Sequence, residues 1–269
     1  MTTPVKRTGM IGLGAMGLQM AKYMGKKGYE VSGYDISAEV MARAKSEGVK
    51  GCGSPAEVAQ QAEVVIIMVA TGEQVEEVIQ GGLLDKLARD SVICIASSVA
   101  PELCQRMAKL AEAKGIGVLD TPVVLGQEAA DNGTLVIYTG GDDKWVERAR
   151  PALESFGRVL HLGGVGTGQI AKTMNNLLLW ACMSANFEAL TFAKKLGADI
   201  PRLIDALGHG SGANWSLSRW GKSTGKWAEK DMDVALDLAQ DAKVPLPLSG
   251  LVDQLMKTIN QERMKALLS

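Results

Sequence analysis

The sequence predicts an α/β protein: a doubly wound, mostly parallel sheet first, then an all-α C-terminal part, the two joined by one long helix. Three observations carry this. Short apolar runs alternate with helix-period segments from residue 8 to residue 162. The first of those runs ends in Gly12-Leu13-Gly14-Ala15-Met16-Gly17, with helical sequence directly after it. Beyond Gly168 no segment reads as a strand.

Composition sets the outer bounds. With 269 residues, 46% of them hydrophobic and 22% charged, the chain is long enough for a large core and for two domains, placed here at 1–163 and 164–269. Lys plus Arg (29) nearly cancels Asp plus Glu (30), which leaves no electrostatic footprint for nucleic acid or an anionic membrane. Four scattered cysteines, no C-x-x-C and two histidines point to reduced thiols and no metal site. No apolar core of signal-peptide length precedes the first glycine turn, and the longest apolar runs, 64–70 and 177–183, are too short to span a bilayer. A cytoplasmic protein without nucleic-acid or membrane partners is expected.

The elements follow in order. Residues 8–12 read as a strand, and the glycine turn after it has the strand–turn–helix context that a G-x-G-x-x-G requires. Gly12 permits the tight turn, Gly14 lets a pyrophosphate approach the backbone, and Gly17 lets helix and strand pack closely. The amides of Leu13, Ala15 and Met16 belong to the same phosphate-binding turn, at the positive end of a helix. A second strand, 29–35, ends in Asp35, which lies 18 residues past Gly17, close to the spacing at which an acid bonds the adenosine ribose hydroxyls. A carboxylate there repels a 2′-phosphate, and Ile36 and Ser37 supply no cation. The cofactor predicted for this Rossmann-type unit is NAD.

The alternation continues with a helix at 38–48, a fully buried strand at 63–70, a helix at 73–79 and a strand at 91–96. Residues 101–114 read as helix, 117–120 as extended, 135–139 as strand, 144–156 as helix and 158–162 as the last strand. Ligands of such a sheet sit at the carboxyl ends of the strands, here residues 69–71, 97–98 and 122–126. The loop from Pro122 to Gly126 and on to Gly133 reads equally as a plain crossover or a substrate loop.

The segment 161–176, HLGGVGTGQIAKTMNN, leads from glycines into a helix carrying Lys172 and, one turn on, Asn176 on the same face. Because the sequence that follows is almost wholly apolar, the helix is expected to be buried, and a buried cation needs a function or a partner. Residues 169–196 read as one helix, roughly 40 Å long at 1.5 Å per residue, ended by Gly197 with Pro201 beyond. Further helices are expected at 201–207, 233–242 and 248–268. Asp231 is expected as the N-cap of the second of these, with Lys230 just before it. Trp180, Trp215, Trp220 and Trp227 either wall a substrate cleft or pack the core, the second being the plainer reading.

Four motifs in order, Gly12 to Gly17 with Met20-Ala21, then Asp120-Thr121-Pro122-Val123, then Gly163 to Asn176, then Lys230-Asp231, resemble the β-hydroxyacid dehydrogenase family. They span nearly the whole chain. The resemblance implies that Lys172 is a catalytic acid–base, protonating the carbonyl oxygen in reduction and accepting the hydroxyl proton in oxidation, with Asn176 orienting the substrate. It implies that Val69 and Ala70 line the cofactor by their backbone, that Ser98 contacts its nicotinamide half and that Lys230 closes over cofactor and substrate. The family's loop has serine then glycine where Val124 and Leu125 stand, so that only Gly126 remains of the usual substrate loop. An apolar pair removes the hydroxyl, crowds the backbone and points to a bulkier or more apolar substrate. The interval from Lys172 to Lys230 and the C-terminal tail are also shorter than usual.

The implied activity is NAD-dependent interconversion of a β-hydroxy acid, or a related alcohol, with its semialdehyde or ketone. One alternative is a semialdehyde or imine reductase; imine-reducing relatives usually replace the lysine, so Lys172 argues against imines. A non-catalytic NAD-binding scaffold is the alternative of another class, and retention of Lys172 with Asn176 argues against it. A homodimer or homotetramer is expected, because the helix beyond residue 177 and the terminal helix carry more apolar face than one small domain needs.

Overall fold

The computed structural model describes residues 4–222 and 225–269. The chain separates into two compact units, Met1–Lys172 and Thr173–Ser269. The first contains β1 (Arg7–Ile11), α1 (Ala15–Lys26), β2 (Glu30–Tyr34), α2 (Ala38–Ser46), β3 (Lys50–Gly51), α3 (Pro55–Gln61), β4 (Val64–Ile67) and α4 (Gly72–Val78). A π-type turn (Ile79–Leu83) leads to α5 (Leu84–Lys86), followed by β5 (Val92–Ile95), α6 (Pro101–Glu112), β6 (Gly117–Asp120), β7 (Val123–Val124), α7 (Gly126–Asn132), β8 (Leu135–Gly140), α8 (Asp143–Leu153) and β9 (Gly157–Gly163). Helix α9 (Thr167–Lys195) begins in this unit and runs on into the second.

Among the described residues the nine strands form one sheet in the order β3-β2-β1-β4-β5-β6-β8-β7, with β9 on β8. Pairing is parallel from β3 to β6 and between β8 and β9, and antiparallel where β8 meets β6 and β7. Side chains alternate across the sheet. Met10, Val64, Ile66, Val92 and Cys94 join one core, under α1, α7 and α8. Ile11, Val65, Ile67, Ile93 and Ile95 join the other, under α3 to α6. Burial on both faces explains why the central strands read as continuous apolar runs. The chain runs outward from β1 to β3 and returns to β4 on the other side of β1, so the order reverses at the carboxyl ends of β1 and β4, where ligands bind such sheets.

The second unit is helical: the rest of α9, then α10 (Ile200–Gly208), α11 (Trp215–Ser218), α12 (Ala228–Asp241), α13 (Pro247–Met256) and α14 (Gln261–Ala266). Its core gathers Trp180, Met183 and Leu190 of α9 with Trp220, Met232, Met256 and Met264. Among the described residues no helix is long and apolar enough to cross a membrane. All four cysteines are free thiols.

Several expectations change. The strand expected at 63–70 stops at Ile67, because Met68 and Val69 are only half-buried and Ala70 is exposed. The loop after Pro122 is not a plain crossover but holds β7 and α7. Strand β3 and helix α3 were not foreseen; Ser54 caps α3 and Pro55 opens it. The terminal helix is broken into α13 and α14, since Asn260 leaves the helix and its side chain accepts from the Arg263 N–H at 2.9 Å. Helix α12 starts at Ala228, with Lys230 and Asp231 inside its first turn. Asp231 is not the cap: its Oδ2 accepts the Trp180 indole N–H at 3.1 Å. Helix α9 is not buried all round, as Leu178 is 67% exposed. One face of a helix meets the core, and Trp180, Met183 and Leu190 occupy it. Trp180 and Trp220 are core residues, whereas Trp215 and Trp227 are largely exposed.

Candidate active site

The glycine turn has the geometry a dinucleotide needs. Gly12 has φ +87°, and a Cβ there would collide with the Met68 carbonyl oxygen. A Cβ at Gly17 would collide with the Gly12 carbonyl, so both positions require glycine for close packing. Gly14 differs: nothing lies within 4 Å of its virtual Cβ, which leaves its side of the turn open. Helix α1, in which Ala15 and Met16 form the first turn, carries neither a side-chain cap nor an acid there, so its N–H groups and dipole are available to an anion. Asp35 sits half-buried at the end of β2, its Oδ2 accepting from the Leu13 N–H at 2.8 Å and its Oδ1 from the Ser37 N–H at 2.9 Å. Ile36 beside it is 86% exposed. An open glycine edge, an uncapped helix and a fixed carboxylate fit a dinucleotide.

Past β4, Ser97 Oγ accepts from the Val69 N–H at 2.8 Å and donates to the Val69 carbonyl at 2.9 Å. The Ala70 N–H donates to Gln74 Oε1 at 2.9 Å. The backbone at Val69 and Ala70 is thus set by Ser97, which the sequence marked only as a strand end, and by Gln74, which it did not mark. Ser98 follows Ser97, half-buried.

Asp120, at the end of β6, was named in the sequence only as part of a motif, with no role of its own. It is fully buried, and its two oxygens accept the N–H groups of Gly166 at 2.7 Å and Gln169 at 2.8 Å, at the start of α9. Burial pushes its carboxyl above the ordinary range, and the helix N–H groups partly oppose that. Gln169 completes the attachment: its Nε2 donates to the Ser97 carbonyl at 2.7 Å while its Oε1 accepts from the Val99 N–H at 3.2 Å. Helix α9 is therefore fastened to the ends of β5 and β6 one turn before Lys172. Lys172 is half-buried, and its Nζ donates to the Val123 carbonyl at 3.0 Å.

Val123 opens the loop where Val124, Leu125 and Gly126 stand. Val124 is buried, whereas Leu125 is 37% exposed and adopts φ +80°, ψ 2°, followed by Gly126 at φ +71°. The left-handed region costs a residue with a Cβ about 1–2 kcal/mol. Two residues on, Gln127 Nε2 donates to the Ala15 carbonyl at 3.2 Å.

The first unit thus holds the glycine turn, Asp35, Val69, Ala70, Ser98, the 124–126 loop and Lys172. Asn176 and Lys230 belong to the second. Asn176 is buried one turn beyond Lys172 on α9, its Oδ1 accepting from Asn175 Nδ2 at 3.0 Å. Lys230 is half-buried in the first turn of α12, which the Asp231 to Trp180 bond ties to α9.

A dinucleotide turn at the switch point of a doubly wound sheet, an acid at the end of β2 and an all-helical second unit define the class of nicotinamide-dependent oxidoreductases. Residues 7–166 match the family model described as the NAD binding domain of 6-phosphogluconate dehydrogenase. Residues 166–267 match that described as NAD-binding of NADP-dependent 3-hydroxyisobutyrate dehydrogenase. The chain is 34% identical to the 3-hydroxyisobutyrate dehydrogenase of Pseudomonas aeruginosa, over 91% of this chain and 89% of the relative. To the 2-(hydroxymethyl)glutarate dehydrogenase of Eubacterium barkeri it is 31% identical, over 93% and 88%. The solved structure of the Mycobacterium tuberculosis 3-hydroxyisobutyrate dehydrogenase with L-serine superposes with a TM-score of 0.88 at 26% identity, covering 98% of this chain and 99% of that one. The chain belongs to the β-hydroxyacid dehydrogenase family.

Proposed function

We propose that this enzyme interconverts a β-hydroxy acid and its semialdehyde with NAD as cofactor and Lys172 as general acid–base. The observation that carries this is the Lys172 ammonium, half-buried and 3.0 Å from the Val123 carbonyl on a helix whose start is clamped by Asp120. The bound nicotinamide supplies the hydride in reduction and takes it in oxidation. In oxidation the Lys172 amine accepts the hydroxyl proton as the carbinol C–H bond breaks; in reduction its ammonium delivers a proton to the carbonyl oxygen. A proton carrier within hydrogen-bond reach contributes roughly 10²–10⁴ in rate.

NAD is favoured over NADP because Asp35 is fixed beside Leu13 by two backbone N–H groups, and neither Ile36 nor Ser37 offers a cation to a 2′-phosphate. Gly12 to Gly17 cradle the pyrophosphate, while Val69 and Ala70 line the cofactor by their backbone and Ser98 contacts its nicotinamide half. Residues 124–126 contact the substrate, Asn176 orients it and Lys230 closes over the bound pair; for these roles the support is the ordered motif pattern. We divide the labour at 1–163 for cofactor and 164–269 for substrate and assembly, a division supported by family models that meet at residue 166. A homodimer or homotetramer is supported by exposed apolar residues such as Leu178, Phe192 and Leu196, and a cytoplasmic location by four free thiols.

The test is NADH absorbance across short hydroxy acids, bulkier β-hydroxy acids and non-acid alcohols, with NAD and NADP. Turnover of a β-hydroxy acid with at least about tenfold preference for NAD supports the assignment. Activity confined to non-acid alcohols, or a preference for NADP, contradicts it.

A further inference from the structure

We propose that Gln169 is a positioning residue that holds the nicotinamide contact at Ser98 in register with the proton carrier Lys172. The inference rests on the roles proposed above for those two residues. Strand β5 ends at Ile95 and α6 begins at Pro101, so the backbone around Ser98 lies outside the sheet. Its buried polar groups still need partners. The Gln169 side chain supplies two: Nε2 donates to the Ser97 carbonyl at 2.7 Å, and Oε1 accepts from the Val99 N–H at 3.2 Å. One carboxamide thus bonds the peptide groups on either side of Ser98, as the backbone of a parallel strand bonds the residue opposite it. Ser98 stands half-buried between Ser97 and Val99, which are 1% and 5% exposed.

Attachment of α9 does not account for this side chain. The helix start is already fixed through backbone N–H groups, those of Gly166 and Gln169 on Asp120. Gln169 is itself 1% exposed, a burial that glutamine seldom reaches, and its amide is spent on the two peptide groups that flank Ser98. Lys172 follows three residues on, about 4.5 Å along the axis and on the same face. One turn of helix therefore joins the Ser98 backbone to the amine whose Nζ is held by the Val123 carbonyl at 3.0 Å. Hydride goes to the carbon and the proton to the oxygen of one carbonyl, so a group that fixes the nicotinamide contact relative to the amine governs both transfers.

The experiment uses the full-length enzyme with NADH and with ADP-ribose, which keeps both phosphates and lacks the nicotinamide. Gln169→Met fills the same space without the amide. Its dissociation constant for NADH should rise about tenfold while that for ADP-ribose stays within about twofold of native. Single-turnover hydride transfer is measured with saturating NAD and whichever of glycerate, 3-hydroxyisobutyrate and 3-hydroxypropanoate the native enzyme oxidises fastest, and should slow by at least about tenfold. A merely structural role weakens both ligands alike or neither. Gln169→Glu is the rescue: its protonated form keeps the shape, donates to Ser97 and accepts from Val99. Burial beside the Asp120 carboxyl and the Cys104 thiol favours that form. The Glu variant should keep the native ratio of the two affinities at about pH 6 and approach the Met variant as the acid ionises at higher pH. A native ratio and rate in Gln169→Met, parallel weakening of both ligands, or a Glu variant as impaired as the Met variant at about pH 6 overturns the inference and leaves the acid–base reading standing. Near-normal hydride transfer in Lys172→Ala, or no oxidation of any of the three acids by the native enzyme, removes that reading and the inference with it.

Discussion

Asp120 shows how a residue away from the proposed proton carrier fixes the helix on which that carrier stands. Its carboxylate is fully buried and takes two N–H groups at the start of α9, so the helix that carries Lys172 has one register available to it. Burial raises its pKa in the folded protein, so the native state favours the protonated form relative to the unfolded chain. Its contribution is therefore full below the unfolded carboxylate pKa of about 4 and is lost as pH rises toward the raised native value. Asp120→Asn should remove that fall from the pH dependence of the denaturant midpoint. The amide also sets an N–H against an N–H, which costs about 1–3 kcal/mol throughout; an unchanged pH slope would contradict the assignment. Asp35 makes the second prediction at this scale. Asp35→Asn weakens the repulsion of a 2′-phosphate, and the ratio of NADH to NADPH affinity in a fluorescence titration should fall by about tenfold. No change would mean that another group sets the preference. The place of Asp35 at the end of β2 was legible in the sequence because its motif is local. Asp120 as a clamp was not, because its partners Gly166 and Gln169 lie 46 and 49 residues away with no periodicity to connect them.

At the scale of elements, strands and helices buried on one or two faces declared themselves through their apolar period, and β1, α1, β5, α6 and α9 fall within a few residues of expectation. The failures are at ends and joints, where one side chain decides. The strand expected to reach Ala70 ends at Ile67, after which Ser97 claims the Val69 backbone. Asp231 has the chemistry of an N-cap, yet the Trp180 indole takes it, and α12 starts three residues earlier at Ala228. The last helix breaks because Asn260 bonds the Arg263 N–H rather than continuing the turn. Asn260→Ala should therefore cost about 1 kcal/mol, lower the thermal midpoint by a few degrees and leave kcat unchanged. A loss of kcat with no loss of stability would contradict a purely local role for the cap.

For the whole molecule, the alternation of strand and helix followed by helix alone made both the α/β class and the helical second part legible. The antiparallel joins of β8 to β6 and β7 were not legible, since strand direction leaves no trace in composition. Exposed Leu178, Phe192 and Leu196 predict a particle larger than one 28.5 kDa chain, and light scattering should return a dimer or tetramer; a mass of one chain would contradict it. The central claim concerns the amine at position 172, and the most direct measurement is the single-turnover rate of hydride transfer in Lys172→Ala with saturating NADH and substrate. Removing the proton carrier should lower that rate by at least about 10² while NADH affinity stays within a few-fold of normal. A rate within a few-fold of the native enzyme would contradict the account.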